Sequence, residues 1–343
     1  MFFFIDEIAL YDRQIRLWGI TTQLRLRTTK VLVINLGGIG TEIVKNLVLG
    51  GINTIEILDH SRIKSEDFAC QFFLPNDESI IGQYKLPHVI DNIRDLNNRV
   101  NLNINYETTG FGDAEYLKQF DLVIGTELTK SEIIRLNWLT RKLNIPLYLS
   151  GMHGKFGYVI TDLIKHESTN ERVKSNIAKE INSKISLHKT ITNIVPIEND
   201  TTKELITVTD EFYPIESIFN SQKLKDQLTK KQFKQISPCF PMILALLDIE
   251  RPTVDFESDI DIELLKQKTL QVCHNLGIST DLITDEYLQL LSRQAFAEFP
   301  PTSAILGGTL SQDVIQFLSK KESPINNVLI LDAIKSEMPI YSL

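Results

Sequence analysis

The chain has 343 residues, 43% hydrophobic and 23% charged, with a formal net charge of −8. This is ordinary composition for a soluble α/β protein of one large domain or two smaller ones. The acidic balance gives no support to a nucleic-acid partner bound by a basic face, and no apolar run approaches the ~20 residues that span a bilayer. The opening MFFFIDEIAL is too short and too acidic for a signal peptide. Cys70, Cys239 and Cys273 form no C-x-x-C pair, so the expectation is a reducing compartment without disulfides or structural zinc.

The first 28 residues predict helix, with Ile8, Tyr11, Ile15 and Trp18 recurring as one apolar stripe and Arg13 on the opposite side. Val31–Ile34 is a buried strand, followed by a turn containing Gly37, Gly38 and Gly40 and by a helix to about Leu49. A second strand, Ile55–Leu58, ends at Asp59. A helix near Gln83–Leu96, a strand at Leu102–Tyr106, a buried strand at Asp121–Gly125, a helix around Glu132–Leu143 and a strand at Pro146–Leu149 follow. Near-continuous Val/Ile/Leu strands alternating with helices predict a Rossmann-like, mostly parallel sheet covered on both faces.

After Tyr158–Ile160 the pattern changes. Residues 164–235 are polar and lysine-rich with weak periodicity, which predicts an insertion with exposed or mobile parts. Its charge run Lys223–Lys234 is read as a solvated helix face. Helices resume from Pro241, and Pro301 opens a long one. That helix contains Gly307 and Gly308, each disfavoured there by ~1 kcal/mol relative to alanine, so close packing is expected at this point. Val328–Leu331 is expected to rejoin the first sheet. Residues 1–163 and 236–343 then form one nucleotide-fold domain, interrupted by 164–235.

The segment Asn35-Leu36-Gly37-Gly38-Ile39-Gly40 lies between a strand and a helix, with Asp59 at the end of the next strand. That is the context of a dinucleotide-type fingerprint, in which glycines and a helix N-terminus receive phosphate and the acid receives ribose hydroxyls. Asn35 stands where the fingerprint has its first glycine, a residue type that tolerates left-handed backbone but can fill space a nucleotide needs. A strand-turn-helix packed tightly with no ligand fits the same residues equally well.

Residues outside the turn carry a resemblance. The run Tyr11-Asp12-Arg13-Gln14-Ile15-Arg16-Leu17-Trp18-Gly19 resembles the Y-x-R-Q-x-x-x-x-G element of adenylation domains in ubiquitin-like-modifier activating enzymes. Bacterial molybdopterin- and thiamine-pathway adenylyltransferases share that element. Leu58-Asp59-His60, Asp67–Phe73, Gly82-Gln83-Tyr84-Lys85 and Pro301–Ile315 continue the likeness, which covers about 6–163 and 295–343. In that family an arginine that contacts the triphosphate stands where this chain has Cys70. A magnesium-holding aspartate aligns with Leu128 or, one residue earlier, with Glu127.

The resemblance therefore implies a degenerate nucleotide site of Gly37, Gly38, Gly40, Asp59 and Lys85 that holds nucleotide weakly or not at all. A hydrogen bond to a charged group contributes ~1.5–3 kcal/mol, so losing two such contacts weakens triphosphate binding by orders of magnitude. Ser237-Pro238-Cys239-Phe240-Pro241 lacks the family's thioester signature, and Cys239 reads as a small buried hydrophobe. The six histidines match no metal spacing.

Length and these defects resemble the small, Aos-type regulatory subunits of heterodimeric SUMO-activating enzymes. The resemblance implies a larger catalytic partner that binds ATP and magnesium, with SUMO and its conjugating enzyme engaged through that partner. It implies that Arg13 acts in trans at the partner's ATP site, and a nuclear location with some cytoplasmic protein. Other readings are a self-sufficient homodimeric adenylyltransferase, a NAD-dependent dehydrogenase that would leave the Tyr11–Gly19 run unexplained, and a scaffold with no part in chemistry.

Overall fold

A computed structural model describes residues 5–107, 111, 113–174, 179–221, 224, 228, 233, 236–250 and 259–343. Two helices open the chain, α1 (Ile5–Trp18) and α2 (Ile20–Leu26), parted at Gly19, whose φ of 87° ends the first helix. Tyr11 is buried and its ring lies over Gly51, while Gln14 Nε2 donates to the Leu49 carbonyl at 3.1 Å. The expected stripe is only partly covered. Ile15 and Trp18 are half-buried and Ile8 is 43% exposed, because α1 rests on the body through Tyr11 and leaves Ile8 at the rim.

The chain continues through β1 (Lys30–Ile34), α3 (Gly38–Gly50), β2 (Thr54–Leu58), α4 (Leu86–Arg94), β3 (Asn101–Asn105), α5 (Ala114–Leu117), β4 (Leu122–Thr126), α6 (Lys130–Leu143), β5 (Leu147–His153) and β6 (Phe156–Asp162). Then come β7 (Lys165–Val173), β8 (Lys184–Ser186), β9 (Lys189–Ile197) and β10 (Asp200–Glu211), and helices α7 (Cys239–Leu246), α8 (Ile262–Leu276), α9 (Asp285–Gln294) and α10 (Pro300–Ser319). Strands β11 (Val328–Asp332) and β12 (Ile340–Tyr341) close it.

The main sheet has the order β12-β11-β6-β5-β4-β1-β2-β3, parallel from β5 to β3 and antiparallel from β5 to β12. Successive residues of β1 feed opposite cores. Val31 and Val33 pack with Ile39, Ile43 and Leu310, whereas Leu32 and Ile34 pack with Ile133, Leu136 and Phe240. That two-sided burial is why the parallel strands read as unbroken apolar runs. In α10 a Cβ at Gly307 would strike Glu42 Cβ and sit 3.3 Å from the Ile39 carbonyl, so this glycine lets α10 lie directly on α3; Gly308 has open space.

The polar insertion holds more order than its composition predicts. Strands β7 to β10 form an antiparallel sheet in the order β7-β10-β9-β8, with a small core of Ile191, Ile206 and Val208. Apart from Leu224, Leu228 and Phe233, the charge run Lys223–Lys234 lies outside the described residues. Strand β11 pairs with β6, Val328 opposite Ile160, so the chain returns to the main sheet as expected. Among the described residues no helix is long and apolar enough to cross a membrane.

The insertion meets the main body at His166, 2% exposed, whose ring lies 5.0 Å from that of Phe317. Burial, together with the nearby charges of Lys320 and Arg25, lowers its pKa to about 4 despite a hydrogen bond with the Glu322 backbone. A depressed histidine pKa leaves stability intact above the unfolded value near 6.5; stability is lost as the pH falls from there towards 4. The loss across that window is on the order of 3 kcal/mol. Denaturant unfolding of His166→Phe between pH 7.5 and 4 is expected to show a correspondingly flatter pH dependence than the wild type. Parallel curves for the two proteins contradict this.

Candidate nucleotide site and the exposed face of α1

The turn after β1 is built as the sequence predicts and then filled by the chain itself. Asn35 takes a φ of 66°, the left-handed conformation expected of the residue replacing a glycine, and its Nδ2 donates to the Thr126 carbonyl at 2.8 Å. Gly40 cannot carry a side chain, because a Cβ there would meet the Asn35 carbonyl. Gln71, 2% exposed, ties the turn from the other side by donating to the Leu36 carbonyl at 2.8 Å and to Thr41 Oγ1.

Asp59 and Lys85 do come together beside the turn, and both are buried. Asp59 Oδ2 accepts from Leu36 N–H at 2.9 Å and Oδ1 from Ser61 N–H at 2.7 Å. Lys85 Nζ lies 2.9 Å from Asp67 Oδ1 and 4.0 Å from Asp59 Oδ2. Burial opposes the Lys85 charge, but Asp59, Asp67 and Glu298 outweigh it and hold the pKa above the ordinary lysine value. The carboxylate for ribose and the cation for phosphate are thus both engaged within the chain.

At the glycines the space is taken. Glu298 Oε1 accepts from Gly38 N–H at 2.9 Å, at the first residue of α3. A Cβ on Gly37 would strike the same oxygen; one on Gly38 would strike Ser303 Oγ and lie 2.9 Å from Cys70 Cβ. Cys70, 7% exposed, packs against the turn, and burial followed by the charge of Glu298 pushes its thiol up to about 11. Leu128 is buried against Gly125, and Glu127 Oε1 accepts from Met152 N–H at 2.9 Å. A carboxylate of the chain itself thus occupies the N–H group that a turn of this type offers to phosphate.

Glu298 was not among the residues singled out from the sequence. It is 260 positions from Gly38, and the only local signal is its place just before the Phe299-Pro300-Pro301 start of α10.

Arg13 stands apart from the turn. It is exposed on α1, which lies against the C-terminal end of α3, whereas the turn is at the N-terminal end. The 13 residues of α3 separate the two by roughly 20 Å, beyond the reach of an arginine side chain. Leu10 and Leu17, 56% and 79% exposed, flank Arg13 on the same helical face at i−3 and i+4. Arg16 pairs with Asp12 at 2.8 Å beside them. The cysteines offer no open thiol: Cys239 and Cys273 are fully buried, which raises the first well above its usual value and the second to about 11.

A mixed sheet with a glycine turn after β1 and an acid at the end of β2 defines a nucleotide-type fold, here with a carboxylate of the same chain seated on the turn. The solved structure of MccB from E. coli with MccA-N7isoASN shares the fold at a TM-score of 0.53 and 13% identity, over 98% of this chain and 71% of that one. The ThiF family profile matches residues 11–343, and the chain belongs to the ThiF family. It is 39% identical to DNA damage tolerance protein RHC31 of Saccharomyces cerevisiae, over 98% of this chain and 96% of that protein. It is 31% identical to SUMO-activating enzyme subunit 1 of Xenopus tropicalis, over 95% of this chain and 93% of that protein. For the human SUMO-activating enzyme subunit 1 the identity is 28% over 96% and 93%.

Proposed function

We propose that this chain is the small regulatory subunit of a heterodimeric, ATP-dependent SUMO-activating enzyme, and that it presents Arg13 to ATP held by a larger catalytic partner. The observation that carries the reading is the α1 face. An arginine is exposed between two exposed leucines, in the run that resembles the family's Y-x-R-Q element, and cannot reach its own chain's turn. Leu10 and Leu17 are the apolar contacts that seat the partner, and Arg13 is the charge that enters its site. The near-full-length likeness to SUMO-activating enzyme subunit 1 supports the choice of modifier.

Adenylation and thioester formation belong to the partner. This chain's own turn is occupied by Glu298, and its cysteines are buried with raised pKa values, so none is poised as a thiolate. The same features disfavour a self-sufficient homodimeric adenylyltransferase.

Pyrophosphate exchange with ATP in the presence of SUMO tests the assignment. The isolated chain is expected to give no exchange above background, and its mixture with the larger subunit to give robust exchange. A folded Cys70→Ser, Cys239→Ser, Cys273→Ser triple variant still supports thioester formation in the pair. Robust exchange by the pure chain restores the homodimeric reading; adenylate without thioester in the triple variant returns the nucleophile to this chain.

A further inference from the structure

Glu298 is held in place from both sides. Between α9 and α10, Phe296 N–H donates to His153 Nδ1 at 3.0 Å, Gly154 N–H donates to the Ala297 carbonyl at 2.8 Å, and Phe299 N–H reaches Met152 Sδ at 3.4 Å. Gln294 Oε1, at the end of α9, accepts from Lys155 N–H at 2.9 Å. The tip of the β5–β6 hairpin therefore clamps the segment over nearly its whole length. Phe296 adopts a φ of 61°, a left-handed conformation costly for a non-glycine residue and kept only where the surroundings dictate it. A carboxylate carried this way is part of the fold rather than a wandering surface side chain.

Its position is chemically specific. The first N–H groups of a helix have no partner within the helix, and the aligned peptide dipoles place about half a positive charge there. Anions bind at such ends, and phosphate is the anion that this type of turn receives. Glu298 supplies one from within the chain, with buried Lys85 close enough for its charge to be felt.

We propose that Glu298 is a built-in anion that takes the place of a nucleotide phosphate on the Gly37–Gly38 turn and closes this chain's own site to any free phosphate ligand. The inference rests on the reading that this turn performs no adenylation, and deepens it by naming what disables the turn. Loss of the arginine position to Cys70 weakens binding, whereas the carboxylate competes for the same N–H group. The turn keeps its glycine geometry because it still has an anion to receive.

The test is equilibrium binding of labelled inorganic pyrophosphate, without added metal, to the full chain and its variants. The wild type is expected to show no saturable binding at millimolar pyrophosphate. Glu298→Ala is expected to show saturable binding at least about tenfold tighter, from the Gly38 N–H that it frees and the negative charge that it removes from the turn. Glu298→Gln keeps the shape but removes the charge, so it falls between the two and serves as the deciding variant if the alanine protein does not fold. Adding Lys85→Met to Glu298→Ala abolishes the gain. Equal binding by wild type and Glu298→Ala overturns the proposal, as does the absence of binding in folded Glu298→Gln. The assay needs no partner, so it stands or falls separately from the role of Arg13.

Discussion

In the assembled heterodimer, Arg13→Ala is expected to slow SUMO adenylation by about 10³-fold while the two subunits still purify together. An arginine supplied in trans acts through its planar guanidinium, which makes paired hydrogen bonds to phosphate oxygens and offsets charge developing on the departing pyrophosphate. Arg13 is free to do this because its surroundings ask nothing structural of it. It is exposed, and the neighbouring Arg16 takes the salt bridge to Asp12. Substitution of an exposed surface side chain usually changes stability by no more than about 0.5 kcal/mol, so the alanine protein folds normally. Arg13→Lys restores only part of the rate, since an ammonium cannot reproduce the fork. Single-turnover adenylate formation with a gel-filtered complex is the measurement. Wild-type rates from a complex carrying Arg13→Ala remove this chain from the chemistry and leave it a scaffold.

The largest expected loss of stability comes from Arg141→Met. Asp162 ends β6, and its side chain is inaccessible to solvent. Both of its oxygens lie 2.7 Å from Arg141 Nη1, with Asn137 Nδ2 donating at 2.7 Å and Ile164 N–H at 3.1 Å. Removing the guanidinium leaves a buried carboxylate without its countercharge, a change that destabilises by about 3–5 kcal/mol. Ile164 follows at a φ of 63°, where the chain leaves the main sheet for β7, so the damage falls on the root of the insertion. Adding Asp162→Asn to Arg141→Met recovers part of the loss, because the stranded charge is then gone. Urea unfolding of the two variants decides it. A double variant no more stable than Arg141→Met contradicts this account.

The α/β core was legible because its strands are buried on both faces: Val31–Ile34 and Leu122–Ile124 have no polar residue to interrupt the apolar signal. The β7–β10 sheet was not. In Lys165–Val173 only His166 and Ser168 are buried, so no alternation of apolar residues marks the strand. The Asn35 conformation followed from its place in the turn, since a residue standing for a glycine must accept positive φ. Helical spacing identified the α1 face that carries Arg13 but overstated its apolar side, because periodicity gives direction and not whether anything lies there; Ile8 is the casualty. Glu298 was out of reach for a different reason. Its partner is a backbone N–H, which has no residue identity, and the approach is made entirely by tertiary folding across 260 positions.

The cover that α10 places over α3 is synthesised long after α3 itself. Ile39, Ile43 and Leu47 share a core with Leu306, Leu310 and Val314. At about 5–20 residues per second, more than 260 residues of synthesis leave that apolar flank of α3 without its cover for roughly 13–50 s. Glu298 emerges only just before the cover does, and β11 follows to pair with β6. The nascent chain therefore passes through a period in which the residues of its nucleotide turn are already synthesised without Glu298, and in which the apolar flank of α3 lacks the side chains that cover it.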